Sequence, residues 1–140
     1  MPAPVRKANY KSYDHEYAEK SMDDLQRQLD VGWLEGPLLY NPWIISSQGG
    51  VWNEDKQKYR PILDCTASGL NPLIIPPECP YDLLEDTLLA VRPGDHLSGF
   101  DFKDAFYLWP RRQADCDFLG LAGPPQDGAI YRLRCHNLTN

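Results

Sequence analysis

The chain has 140 residues, a net charge of −6 at pH 7, a hydrophobic content of 42%, and 13 prolines with 10 glycines. This length suits one domain or part of a larger one, and the apolar content excludes a wholly disordered chain. The acidic balance argues against a free-standing nucleic-acid binder, although local patches matter more than the sum. The many prolines and glycines predict numerous turns, with two or three modest helices among short strands.

The cysteines and the apolar pattern restrict the class of protein further. Cys65, Cys79, Cys116 and Cys135 are widely spaced and form no CxxC pair, so neither a zinc knuckle nor a thioredoxin-type site is indicated. Reduced thiols in an intracellular protein are the expectation, with the compartment left open. No apolar run near the start suggests a signal peptide, and no stretch approaches the roughly 20 apolar residues of a membrane span, so we expect no membrane partner.

Residues 1–20 are predicted as a polar N-terminal arm. Tyr10, Tyr13 and Tyr17 fall at helical spacing, so a marginal helix and a loose arm both remain open at this point.

The first convincing helix is predicted to begin at Ser21 and to end at Gly32. Ser21 followed by Asp24 resembles a capping box, and a glycine is a common helix stop. One face of this helix carries the apolar residues Met22, Leu25 and Leu29.

Residues 40–64 are predicted as antiparallel strands joined by tight polar turns. Tyr40–Ser47 is a strand, Gln48–Gly50 a hairpin turn, Asn53–Gln57 a second turn, and Tyr59–Asp64 the next strand. Three basic residues cluster here, namely Lys56, Lys58 and Arg60. They suit either a phosphate-binding hairpin or an ordinary solvated face, and composition alone does not separate the two.

A proline-rich connector and a second helix follow. Ala67–Pro80 is too rich in proline for regular structure. The second helix is predicted to begin at Pro80 and to end before Arg92–Asp95. Its apolar positions are Tyr81, Leu84, Leu88 and Val91.

The stretch Leu97–Pro110 is predicted as a short strand over Leu97–Phe102 that ends close to Asp101, followed by a turn that carries Asp104. A carboxylate at the end of a strand suits a metal site. The alternative is a strand-to-helix junction with Asp104 as a helix cap, and spacing alone favours it because DxxD is a weak pattern.

The remaining chain is predicted as a small hairpin. Arg111–Asp117 is a short polar turn or helix, Phe118–Leu121 is a strand, and Ala129–Cys135 is its antiparallel partner across a turn at 123–128. No repeat, linker or low-complexity tract is evident.

The order of these segments resembles the reverse transcriptases of retroelements, from the fingers into the first palm strands. The matching segments are Lys58–Asp64, Ser68–Asn71, Phe100–Tyr107 with Pro110, Phe118–Gly120 and Tyr131-Arg132. The resemblance covers about residues 20–140 and favours a retrotransposon lineage. It implies an α+β fold with short antiparallel strands and two main helices, a partial right-hand polymerase. The fingers would be residues 21–94 and the start of the palm residues 95–140.

The resemblance implies a nucleotidyltransferase that uses two Mg²⁺ ions on a template–primer and a deoxynucleoside triphosphate. Asp101 lies at the position of the catalytic, metal-binding aspartate of the family, and the carbonyl oxygen of Phe102 would be a further ligand. The backbone amides of Asp104 and Ala105 would meet the triphosphate. Phe106 lies at the position of the aromatic residue that excludes a ribose 2′-hydroxyl.

Two basic residues complete the implied nucleotide site. Arg60, with Lys58, would hold triphosphate oxygens. The competing interpretation of Arg60 is an ion pair with Asp64, four residues further along the same strand face.

The sequence also departs from the family. The second metal-binding motif, Tyr-x-Asp-Asp, is not found, and Cys135-His136-Asn137 stand where the family has Pro-Phe-Gly. The Asp23-Asp24 pair is interpreted as part of a helix and not as that motif. We therefore expect no polymerisation by this chain alone, exposed apolar surface, and the need for a missing palm or thumb segment as a partner. The alternatives are a non-catalytic module that binds nucleic acid or protein, and an unrelated α+β domain.

Overall fold

A computed structural model describes residues 5–78, 80, 83–109, 111–125 and 128–135. The strands are β1 Val5–Arg6, β2 Leu34–Glu35, β3 Ile44–Asn53, β4 Lys58–Asp64, β5 Gly120–Ala122 and β6 Ile130–Leu133. The helices are α1 Ala18–Asp30, α2 Leu84–Ala90 and α3 Ala105–Leu108, with short helical turns at Ser12–Glu16, Asn71–Leu73 and Gln113–Phe118. The predicted α+β class is confirmed at this level.

The sheet is mixed and is centred on β3. The strand order is β1-β3-β5-β6-β2, and β4 pairs with the second half of β3. Strand β3 runs parallel to β1 and β5, whereas the pairs β3–β4, β5–β6 and β2–β6 are antiparallel. The antiparallel expectation therefore holds for the two predicted hairpins but misses the parallel neighbours of β3.

The core lies between α1 and the sheet. Leu25 of α1 packs against Leu34, Leu121 and Tyr131, all at most 4% exposed. A second cluster contains Ile45, Ala122 and Ile130. Met22 and Leu29 border the first cluster, so the predicted apolar face of the helix is confirmed.

The predicted capping box at Ser21 is wrong, because α1 begins three residues earlier, at Ala18. Ser21 is fully buried inside the helix. Its Oγ donates to the carbonyl oxygen of Tyr13 at 2.9 Å and lies 2.6 Å from the hydroxyl of Tyr59. The serine therefore joins three elements. The predicted stop at Gly32 is confirmed, since α1 ends at Asp30 and Gly32, two residues later, has a φ of +80°.

The described part of the N-terminal arm packs on the sheet. Strand β1 pairs with Ile44 and Ile45 of β3, and the amide of Tyr10 donates to the carbonyl oxygen of Gln48 at 2.8 Å. Tyr13 is 2% exposed within the turn Ser12–Glu16. Of the two alternatives, the structure supports local helical geometry and not a loose arm.

The predicted hairpin turn at Gln48–Gly50 is wrong, because these residues lie inside the ten-residue strand β3. The chain reverses instead at 54–57, the second predicted turn. Gly50 serves close packing: a Cβ atom there would lie 2.8 Å from the ring of Tyr59 and 3.0 Å from the carbonyl oxygen of Ser12. A glycine inside a strand often marks such an approach of neighbouring groups.

The predicted strand at Leu97–Phe102 is also wrong. Residues 95–102 have no regular secondary structure, and residues 83–103 are all exposed. A strand needs a neighbour for its backbone hydrogen bonds, and among the described strand pairs none includes this segment. The second helix is confirmed as α2, which begins later than predicted because Leu83 has an extended backbone, with φ of −73° and ψ of 154°. The predicted apolar position Tyr81 lies outside the described residues.

The C-terminal hairpin is confirmed, with β5 and β6 paired antiparallel after the turn Gln113–Phe118. The expectation of reduced thiols is wrong for one pair, since Cys116 and Cys135 form a disulfide with Cα atoms 6.0 Å apart. Widely spaced cysteines gave no signal of this pairing. The motif positions at Pro110 and 136–140, and part of the turn at 126–127, lie outside the described residues.

The described helices are not suited to crossing a bilayer. Within the described residues, no helix is both long and apolar enough for a membrane span. The longest of them, α1, has 13 residues, against the roughly 20 that a span requires.

Candidate nucleotide-binding surface

The β3–β4 hairpin presents two predicted basic residues on one open face. Along β4, Lys58, Arg60 and Ile62 are exposed, and they alternate with the half-buried Tyr59 and Pro61. Because side chains alternate between the two faces of a strand, Lys58 and Arg60 point the same way. The hairpin therefore exposes the positively charged side chains of Lys58 and Arg60 to solvent on the same face.

Asp64 ends β4 and organises the turn that follows. It accepts hydrogen bonds from the hydroxyl of Tyr10 at 2.5 Å and from the amides of Thr66 at 3.1 Å and Ala67 at 2.8 Å. The Tyr10 hydroxyl, followed by the Ala67 amide, lowers the pKa of this carboxyl from its ordinary value. The described ion pairs do not include one between Asp64 and Arg60, so that interpretation of Arg60 is wrong.

An open cavity of about 570 Å³ lies beside this turn. Gly49 and Gly50 contribute to its lining, and Asp64 and Asn71 both border it. The amide nitrogen of Asn71 donates to the hydroxyl of Thr66 at 2.7 Å, which fixes the asparagine next to the turn. The structure thus brings together two residues of the predicted motif, Asp64 and Asn71, on one rim.

The segment with the other predicted site residues is exposed. Asp101 and Phe102 precede a turn in which Asp104 has a left-handed backbone, with φ of 58° and ψ of 34°. Helix α3 then begins at Ala105, and Phe106 is 86% exposed. Asp104 is the N-cap residue of α3, as the alternative interpretation predicts, although its side chain makes no capping hydrogen bond. Its carbonyl oxygen accepts the amide of Tyr107 at 3.0 Å.

Two contacts hold this segment locally. The ring of Tyr107 stacks on Trp33, with centroids 4.3 Å apart and planes 7° apart. The guanidinium of Arg111 donates to the carbonyl oxygen of Phe106 at 2.7 Å. Burial raises the pKa of the Tyr107 hydroxyl, which agrees with a ring that is partly withdrawn from water.

The two halves of the predicted site are not joined in the described structure. The described hydrogen bonds, ion pairs and ring contacts include none between Lys58 or Arg60 and the segment 101–106. Within the same residues, no group of three or more histidine, cysteine, aspartate or glutamate side chains could hold a metal ion. The single carboxylate of Asp101 does not fit a pair of Mg²⁺ ions by itself, because such ions need several oxygen ligands.

Sequence reasoning missed an ion-pair cluster around Arg132. This side chain, 13% exposed, pairs with Glu35 of β2 and with Asp117 at 2.6 Å, and donates to the hydroxyl of Tyr40 at 2.6 Å. The cluster joins the neighbouring strands β2 and β6 to the turn Gln113–Phe118. The only sequence signal was a lone arginine in a strand that is otherwise apolar.

Comparison with known proteins finds no match: no family model fits the chain, and no curated protein is significantly similar to it. The resemblance to reverse transcriptases therefore stays a prediction from the ordered motifs of the sequence.

Proposed function

We propose that residues 21–140 are the fingers and the first part of the palm of an RNA-directed DNA polymerase from a retrotransposon. The observation that carries this proposal is the shared exposed face of Lys58 and Arg60 on a two-stranded hairpin. Asp64, the last residue of that hairpin, and Asn71 border one cavity and follow each other in the order of the family motif.

The proposed chemistry assigns the basic pair to the nucleotide. The guanidinium of Arg60 donates two parallel hydrogen bonds to triphosphate oxygens, and the ammonium of Lys58 adds a second positive charge. Both groups are exposed on the hairpin, so binding does not first have to break an ion pair of Arg60 with Asp64.

The segment 101–106 would face the reacting end of the nucleotide. The left-handed turn at Asp104 places the amides of Asp104 and Ala105 at the start of α3, a backbone arrangement that suits an anion. The exposed ring of Phe106 would contact the sugar and exclude a 2′-hydroxyl. Magnesium, when bound, would supply charge neutralisation at the phosphates, with Asp101 and the carbonyl oxygen of Phe102 as ligands from this chain.

This chain alone is not expected to extend a primer. Asp101 is the one aspartate of the family's metal-binding set that the motifs identify in the sequence. A two-metal displacement needs further carboxylates. A palm or thumb segment would have to supply these ligands, and the exposed apolar side chains of residues 83–106 offer it a contact surface.

Binding of a nucleotide analogue tests the proposal. A fluorescent deoxyadenosine triphosphate would be titrated with Mg²⁺ against the chain, against Arg60→Ala, and against Lys56→Ala as a matched control in the hairpin turn. We expect Arg60→Ala to weaken binding at least tenfold, since a charge-assisted bond contributes roughly 1.5–3 kcal/mol, and Lys56→Ala to change it little. Equal affinity in all three proteins would contradict the proposal.

Primer extension tests the expectation of inactivity separately. The chain alone should give no product with Mg²⁺, a template–primer and deoxynucleotides. Extension that Asp101→Asn abolishes would show that the chain holds a complete catalytic site.

A second candidate function is a non-catalytic module that binds a protein partner. The exposed apolar residues favour it: Leu84, Leu88, Leu89, Leu97, Phe100, Phe102, Phe106 and Trp109 are all at least 60% exposed. The test measures whether the chain retains a template–primer at low salt, where electrostatic binding is strongest. If the chain retains none, the result supports this candidate over the polymerase fragment.

A further inference from the structure

Cys116 lies in the turn before β5, Cys135 lies just after β6, and the two segments meet. Their Cα atoms are 6.0 Å apart, inside the range of roughly 4.4–6.8 Å that disulfides occupy. Cys116 is fully buried in the turn Gln113–Phe118, whereas Cys135 is half-buried two residues after β6. We propose that this pair is a reversible redox site, exchanging with a small disulfide such as oxidised glutathione, that fastens the turn to the end of β6.

The surroundings suit both oxidation states. The carbonyl oxygen of Arg112 lies 3.4 Å from the sulfur of Cys116 and 3.5 Å from the sulfur of Cys135. Each thiol therefore has an acceptor when the bond is broken. The amide of Leu133 also donates to the carbonyl oxygen of Leu119 at 3.1 Å, so the two segments stay together without the disulfide. Reduction should loosen the junction and leave the fold intact.

The Cys116–Cys135 disulfide would fix the position of one wall of an apolar groove. The groove has a volume of about 620 Å³ and is lined by Leu70, Leu73, Ile74, Ile75, Phe118 and Leu119, with Arg112 and Asp115 also at its edge. Arg112, Asp115 and Phe118 belong to or adjoin the turn that carries Cys116. Fastening this turn holds that wall in place, and releasing it lets the wall move.

The exchange balances without any further reactant. The thiolate of Cys135, the more accessible sulfur, attacks one sulfur of oxidised glutathione and releases a first reduced glutathione. The thiolate of Cys116 then attacks the sulfur of Cys135 and releases a second. Two electrons pass from the protein thiols to oxidised glutathione, and the two thiol protons end on the two glutathione products.

A third cysteine provides a matched control. Cys65 is free and half-buried in the turn after β4, and burial raises the pKa of its thiol. A raised pKa lowers the thiolate fraction and therefore slows exchange. Cys65→Ser should leave the proposed redox site unaffected.

The experiment equilibrates the full chain in mixtures of reduced and oxidised glutathione, traps free thiols by alkylation, and maps them by mass spectrometry. In the oxidised mixture we expect Cys116 and Cys135 to be linked and Cys65 to be alkylated. The thermal midpoint should rise by roughly 5–10 °C, and the amides of residues 113–119 should exchange hydrogen more slowly. Cys135→Ser should lose these effects, and Cys65→Ser should keep them.

Three results would overturn the proposal. They are the absence of a Cys116–Cys135 link in oxidised glutathione, a dominant link through Cys65 or Cys79, and a link that leaves exchange at residues 113–119 unchanged. Cys116 is fully buried, so its replacement could impair folding; the half-buried Cys135 is therefore the variant that decides. The redox site does not depend on polymerase activity, so its failure and that of the proposed function are separate results.

Discussion

Trp33 stacks on Tyr107 with ring centroids 4.3 Å apart and planes 7° apart, and this contact attaches the exposed segment around Asp101 to the end of α1. The guanidinium of Arg27, one turn before the end of the helix, lies 5.0 Å from the ring of Trp33. Residues 83–103 are exposed throughout, so α3 depends on such contacts for its position. The stack therefore determines where Phe106 is presented.

Replacing Tyr107 with alanine should release α3 from the body of the protein. An aromatic pair contributes about 1 kcal/mol beyond its buried area. The backbone amide at position 107 donates to the carbonyl oxygen of Asp104. We therefore expect its protection from hydrogen exchange to fall roughly fivefold in the alanine variant. Tyr107→Phe keeps the ring and should preserve the protection. Unchanged exchange in the alanine variant would show that other contacts hold α3.

One feature of the β3–β4 hairpin, its second strand, is predicted correctly from the sequence, and another, the role of its glycines, is not. The predicted strand Tyr59–Asp64 is confirmed within β4, and Lys58 and Arg60 of the predicted basic cluster lie on its exposed face. Local rules favour turns at paired glycines and therefore predict, wrongly, a turn at Gly49 and Gly50. What decides their role is distant in sequence: the ring of Tyr59 and the carbonyl oxygen of Ser12 occupy the space of a Cβ atom at Gly50.

Substitutions at these two glycines should differ sharply. An alanine at position 50 would place its Cβ 2.8 Å from the ring of Tyr59, whereas one at position 49 would meet Tyr10 at 3.5 Å, an ordinary contact. We expect Gly50→Ala to lower the free energy of unfolding by roughly 1–3 kcal/mol and Gly49→Ala to change it little. Urea unfolding of both variants measures this. Equal tolerance of the two would contradict the close packing of Gly50.

The candidate site was partly predictable for the same physical reason. Lys58, Arg60, Asp64 and Asn71 are close in sequence, and local strand and turn geometry places them. The strand prediction at 97–102 is wrong because a strand requires a partner strand, which a local pattern cannot reveal. The cluster of Arg132 with Glu35 and Asp117 joins residues that are far apart in sequence, and no local signal announces it.

The carboxyl of Asp64 should make stability depend on pH in acid. Its pKa is lowered in the folded state, so its charged form is favoured there. The stabilisation is therefore fully present above the ordinary pKa of 3.8 and is lost as pH falls through the lower, folded value. Carboxyl-detected NMR should show a rise in the pKa of Asp64 in Tyr10→Phe. The value should stay below 3.8, because the amides of Ala67 and Thr66 still donate.

The cluster around Arg132 should be sensitive to the loss of its cation. Arg132→Met leaves the carboxylates of Glu35 and Asp117 without their shared partner at the edge of the sheet. Removing one partner of a buried ion pair costs about 3–5 kcal/mol. The two carboxylates are about one third exposed, which lowers the expected loss in the free energy of unfolding to roughly 2 kcal/mol.

A surface ion pair and a charge-neutral triple variant complete this test. Arg112→Met breaks the exposed pair with Asp115 and should cost less than about 1 kcal/mol. Combining Arg132→Met with Glu35→Gln and Asp117→Asn should recover part of the loss, since no uncompensated charge then remains. Urea denaturation of Arg132→Met, Arg112→Met and the triple variant, each compared with the unchanged protein, measures these changes in the free energy of unfolding. An Arg132→Met variant no less stable than Arg112→Met would show that the cluster does not hold the sheet edge to the turn Gln113–Phe118.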